Sequence, residues 1–235
     1  MLFRSRYPHF LETARKISMH FEKEMGIPID MEFTYETQEK KMTLVQLRPL
    51  SSYEEMASVR IPEVSHDKIL LKGSRMVSNG IIESTPYLVY VDPFRYGNRE
   101  NYFKIARALG KVNERLKGTR YVLIGPGRWG SVNPDLGVPV DYAELCNCGC
   151  MVELGIVEKH FTPELSYGTH FFLDLDVDNI LYLPVFAGEK PDIFNRDWFE
   201  EHPYETGSEE EIRVYKGNFS VYLNGETEEG VVIEN

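Results

Sequence analysis

The run Tyr121-Val-Leu-Ile124 breaks off abruptly into Gly-Pro-Gly, and no other feature constrains the fold as strongly. A short, β-branched, apolar run bounded by turn residues suits a strand buried within a sheet. The rest of the chain can supply the core such a strand needs. It has 235 residues, of which 42% are hydrophobic and 27% charged, ordinary values for a globular protein. That length fits one large domain or two small ones. Its 14 Tyr and 13 Phe argue against intrinsic disorder.

Around this strand the pattern reads as α+β, a mixed sheet with flanking helices. Phe10, Ala14, Ile17, Phe21 and Met25 fall on one face of a helix, which Gly26 and Pro28 end. Strands follow at Asp30–Glu36 and Met42–Arg48, with Pro49 closing the second. The polar stretch 51–62 lacks a period and reads as a linker. Beyond it, Lys68–Lys72 and Tyr87–Val91 are strand-like. Ile105, Leu109, Val112 and Leu116 predict a second amphipathic helix between an Asn98 cap and a Gly118 stop. Thr169–Leu175 and Ile180–Phe186 read as a hairpin, and Asp192–Glu201 as a short helix. Arg213–Lys216 and Phe219–Leu223 read as a second hairpin, turning at Gly217-Asn218.

The charge balance narrows the partners. With 26 Lys+Arg against 37 Asp+Glu the formal charge is −11, and the summed field repels phosphate polymers and anionic membranes. Neither nucleic acid nor membrane is expected as a partner, although local basic pockets are compatible with this balance. No apolar run approaches the roughly 18 residues of a membrane span, and no signal-peptide core is present. Three cysteines, Cys146, Cys148 and Cys150, do not make a secreted disulfide framework, so a cytoplasmic location is expected. Thiolates are soft metal ligands, with His160 the nearest fourth donor. Small buried hydrophobes are the competing reading of the three cysteines.

The richest chemistry lies near the amino terminus. Gln46 and Arg48 are two apart and project from the same strand face, and Glu32 on the neighbouring strand reaches that face if the register allows. A carboxylate beside an amide and a guanidinium suits a Mg²⁺–polyphosphate ligand. It equally suits a solvated hairpin with a cross-strand Glu–Arg pair. The segments Gly-Ile-Pro-Ile-Asp-Met-Glu-Phe33 and Leu-Val-Gln-Leu-Arg-Pro-Leu50 resemble the end of the ATP-grasp domain of phosphoenolpyruvate synthase and pyruvate phosphate dikinase. The resemblance implies Mg²⁺ and ATP as cofactors, Glu32 as a metal ligand, and Gln46 and Arg48 as nucleotide-phosphate contacts. A pyruvate- or phosphoenolpyruvate-type substrate would be engaged through the remainder of a larger protein.

The family's phosphate-clamping loop, its Thr-Ser-His-Ala-like phosphohistidine motif and its pyruvate-binding barrel have no counterpart in this sequence. The expected organisation is therefore a remnant of an ATP-grasp domain over 1–50, the linker 51–62, and an α+β domain over 63–235. The chain reads as a carboxy-terminal fragment of an ATP-dependent phosphotransferase, inactive alone, and no catalytic residue is assigned.

The alternative is a non-catalytic module centred on Gly125–Ser131. There a strand runs into a glycine-rich turn whose N–H groups, with Arg128 and Ser131, could hold a small anion while Trp129 offers a stacking face. Pro126 removes one donor, and the bland reading is a structural turn anchored by Trp129. The stretch Tyr121–Phe172, through Gly-Pro-Gly-Arg-Trp-Gly-Ser131, Leu-Gly-Val-Pro-Val140 and Gly-Thr-His-Phe-Phe172, resembles the carboxy-terminal region of some synthase-like proteins, with no role attached. His170 is either a satisfied strand residue or an acid/base or phosphate partner beside Arg128.

Overall fold

The computed structural model describes residues 8–49, 59–96, 102–156, 165–166, 175 and 178–235. The chain divides into two units, Met1–Met56 and Ala57–Asn235. The division falls inside the segment read as a linker, of which 51–58 lie outside the described residues.

The first unit holds helix α1 (Pro8–Met25) and strands β1 (Ile29–Glu36) and β2 (Lys41–Pro49). Gly26 takes φ +71 and donates its N–H to the Glu22 carbonyl at 2.9 Å, a left-handed helix stop that favours glycine. The strands pair antiparallel. Phe10 of α1 meets Phe33 and Tyr35 of β1 at centroid distances of 5.6 and 5.0 Å, so the helix covers the hairpin face that carries the odd-numbered aromatics.

The second unit comprises β3 (Ile69–Gly73), β4 (Gly80–Val91), α2 (Tyr102–Arg115), β5 (Val122–Pro126), β6 (Cys150–Leu154), β7 (Leu181–Val185), β8 (Ile193–Phe194), α3 (Arg196–Glu201), β9 (Glu205–Thr206), β10 (Ile212–Asn224) and β11 (Glu229–Glu234). Its sheet runs in the order β7-β6-β5-β4-β10-β11-β3-β8, with β9 added to β10. The four strands β4 to β7 are parallel to one another, and the remaining pairings are antiparallel. Mixed architecture thus stands as expected.

Period-two alternation divides the core. On β4 to β7, Val89, Val91, Leu123, Met151 and Tyr182 pack with Ile105, Leu109 and Val112 of α2. The intervening Leu88, Tyr90, Val122, Ile124, Val152 and Leu183 pack with Phe199 of α3 and Tyr215, Phe219 and Val232 of the antiparallel half. The strand Tyr121–Ile124 is therefore buried on both faces, as its composition requires.

The sheet curls until it nearly closes. Ser78, on the connection after β3, donates its N–H to the Tyr182 carbonyl at 3.1 Å and accepts the Tyr182 N–H on Oγ at 2.8 Å. At Gly73 a Cβ would lie 2.3 Å from the Pro184 carbonyl oxygen, so only glycine permits this approach.

One expected hairpin is corrected. Arg213–Lys216 and Phe219–Leu223 are halves of the single strand β10, and Gly217-Asn218 is an irregularity in its pairing with β4. Both halves bury apolar residues against the same strand, and this outweighs the local turn chemistry. For the other, β7 pairs in parallel with β6 and Leu175 is helical, while the expected first arm falls largely outside the described residues. Residues 169–174 lie outside the described residues, as does Asn98. The short helix begins at Arg196, where the Asn195 side chain accepts the Trp198 N–H. Among the described residues no helix is long and apolar enough to cross a membrane.

Candidate functional site

The hairpin register answers the condition on which the amino-terminal constellation depends. Glu32 stands directly opposite Gln46, and Asp30 opposite Arg48. Directly opposed residues share a face, with Cβ atoms about 4.5–5.5 Å apart, and residues two apart on one strand share it also. Positions 30, 32 and 46 therefore form one polar patch, on the face away from Phe33 and Tyr35, and Arg48 is in register opposite Asp30. Asp30 joins the residues expected from the sequence. It is visible there as the residue two before Glu32.

Beside this patch the register shifts. Glu32 pairs with Gln46, but Phe33 pairs with Leu44, which leaves Val45 as an extra residue, 63% exposed. Such bulges bend a strand and re-aim the neighbouring side chains. The patch carries two carboxylates and an amide, with Arg48 in register beside it. It suits Mg²⁺ delivered with a nucleotide, because Mg²⁺ is commonly held by one or two carboxylates plus substrate phosphates. It is no metal cage by itself: no group of three or more His, Cys, Asp or Glu able to hold a metal occurs among the described residues.

The glycine-rich turn is organised inward. The N–H groups of Gly127, Arg128 and Gly130 donate to the carbonyls of Leu154, Leu136 and Val138 at 2.9–3.0 Å, and the Trp129 N–H donates to Glu153 Oε1 at 3.1 Å. Trp129 is fully buried, and its indole N–H donates to the Val152 carbonyl at 3.1 Å. The Ser131 hydroxyl bonds within its own turn, donating to the Asn133 carbonyl and accepting the Asn133 N–H. Arg128 is only partly buried. The four successive N–H groups of this turn are thus committed to the fold and form no anion nest. His170 and His160 lie outside the described residues, so their placement beside Arg128 or the cysteines is not described.

The cysteines are not aligned on one strand. Cys150 opens β6, whereas Cys146 and Cys148 sit in the preceding turn. Cys146 is exposed, and Cys148 and Cys150 are buried and reduced. Burial pushes both of the latter thiols upward in pKa, the behaviour of inert core cysteines.

One chemically notable residue was missed. Glu153, on β6, is fully buried, and its carboxylate gathers the Trp129 N–H, the Ser166 N–H at 2.7 Å, the Ser166 hydroxyl and the Tyr182 hydroxyl at 2.8 Å. Burial raises its pKa to about 7, against the opposing effect of these four donors. A lone Glu within the apolar run Cys150-Met-Val-Glu-Leu154 was the available signal. It ties the glycine-rich turn to β7 and to the segment at Ser166. No family model, curated protein or solved structure matches the chain.

Proposed function

We propose that the Asp30–Glu32–Gln46–Arg48 face is one wall of a Mg-ATP site in an ATP-dependent phosphotransferase of the phosphoenolpyruvate synthase and pyruvate phosphate dikinase type. The observation that carries this reading is the β1–β2 register, which sets the two carboxylates directly across from the amide and the guanidinium residue. In it, Glu32 and Asp30 offer oxygen ligands, Gln46 offers an amide donor, and Arg48 offers a bidentate donor to phosphate oxygens. Bound Mg²⁺ neutralises phosphate charge in such chemistry. The face positions a nucleotide and accepts no phosphoryl group itself, so the chemical step falls to other residues.

The test is calorimetry of the full chain with MgATP. Binding is expected, and Arg48→Ala should weaken it about tenfold, the worth of one charge-assisted contact. Glu32→Gln should weaken MgATP binding more than binding of ATP in chelator. No heat with MgATP, or an affinity unmoved by Arg48→Ala, would refute the proposal.

A further inference from the structure

A polar cleft of about 310 Å³ opens in the second unit, where β4 ends and its chain turns away at Asp92. Its lining includes three guanidiniums, from Arg95, Arg196 and Arg213, and two carboxylates, from Asp92 and Glu200. The volume sits at the lower end of small-molecule pockets, about 300–1,000 Å³, and the carboxyl ends of parallel strands are common ligand sites.

The carboxylates are already engaged. Asp92 Oδ2 accepts from Arg213 Nη2 at 2.5 Å, and its Oδ1 accepts the Phe94 N–H at 2.9 Å. Glu200 accepts from Arg196 Nε at 2.6 Å. The guanidiniums are not all used. Arg213 has a side chain only 7% exposed. It gives Nη1 to the Phe199 carbonyl at 2.9 Å, while its buried Nε meets no acceptor among the described residues. That Nε is sealed from the cleft and the Tyr215 side chain interacts with the same guanidinium, so Arg213 adds positive charge to the cleft floor while the half-exposed arginines are the accessible donors. Arg95 and Arg196 are half exposed. Arg196 lies over the Phe94 ring, 3.8 Å from its centroid, and Arg95 Nε is 3.5 Å from Asp92. Their terminal nitrogens have no acceptor among the described residues. One positive charge is left over in a chain whose net charge is −11.

We infer that this cleft binds a small phosphomonoester, its phosphate oxygens taken by Arg95 and Arg196 over the positive charge of Arg213 and its organic part resting against Tyr204. Planar guanidiniums suit phosphate oxygens, with several donors fixed in one fork. Tyr204, more than a third exposed at the rim, supplies an apolar surface for the remainder of the ligand. The inference rests on the second unit alone and is independent of the hairpin proposal.

The test titrates the full chain with phenyl phosphate, inorganic phosphate and benzoate, following arginine Nε–H resonances by NMR. Phenyl phosphate should shift the Arg95 and Arg196 Nε–H signals, bind more tightly than either other probe, and weaken as salt rises. Arg95→Gln and Arg196→Gln, both at half-exposed positions, should each weaken binding about fivefold without lowering the melting temperature. No shift at millimolar phenyl phosphate would overturn the inference, as would an affinity unchanged in both variants. Benzoate binding as tightly as phenyl phosphate would overturn the assignment to phosphate, and inorganic phosphate doing so would overturn the role of Tyr204.

Discussion

Glu153 makes stability depend on pH in a direction opposite to that of an ordinary paired carboxylate. Its folded pKa is about 7 against a reference of 4.5. Between those values the folded chain holds a proton that the unfolded chain has lost, so stability falls as pH rises. The full effect is about 3 kcal/mol, most of it lost between pH 5 and 8. For a unit of this size that corresponds to a melting-temperature decrease of about 5–10 °C. The proton has a place to go. Either hydroxyl, of Ser166 or of Tyr182, can turn from donor to acceptor, and Ser166 Oγ then has the Trp129 carbonyl 3.5 Å away.

The assay compares thermal and urea unfolding of the wild type and Glu153→Gln at several pH values, since the difference cancels every other titrating group. The Gln variant should be the less stable at pH 5 by about 1–3 kcal/mol. Its NH₂ must face the backbone N–H of either Trp129 or Ser166, and neither can reverse. The advantage of the wild type should then shrink by about 2–3 kcal/mol up to pH 8. A difference that stays flat across that range would refute the argument that burial governs this carboxyl.

The remaining predictions concern the same unit. With Cys146 exposed and Cys148 and Cys150 buried, a thiol-specific chromogenic reagent should titrate a single cysteine in native protein and all three in urea. Gly137→Ala should destabilise by about 3 kcal/mol or more, because its Cβ would lie 1.9 Å from the Arg128 carbonyl oxygen and 2.4 Å from its nitrogen. Trp129 fluorescence should report the loosening, and an unchanged melting temperature would contradict the packing described for this turn.

What could be read from the sequence was what the chain decides locally. Helix α1 declares itself through the spacing of Phe10, Ala14, Ile17, Phe21 and Met25, and the hairpin through Pro49 and its alternation. Membership of the polar face could be named, but its assembly needed the register. Gly217-Asn218 shows the limit: a two-residue turn and an interruption in one strand require the same residues. The choice was made by β4, more than a hundred residues earlier, which pairs with both flanking halves. The parallel setting of β7 likewise depends on β6. Glu153 could be noticed as an anomaly, yet its partners at 129, 166 and 182 meet it only in the folded chain. The same holds for Asp92 and Arg213, whose ion pair spans 121 positions.

The near-closure of the sheet at Ser78 and Tyr182 also governs how the protein is made. β7 is a strongly apolar terminal strand, and an uncovered strand of that kind templates pairing with other chains. Its cover comes from Gly73 and Ser78, about a hundred residues earlier in the chain, and contacts of such separation form slowly. During synthesis the cover emerges first and waits for its mate, and once β7 is made its rim stays open to neighbours until this slow long-range contact forms. Aggregation during refolding should concentrate at this seam, with chain concentration and refolding temperature setting its extent.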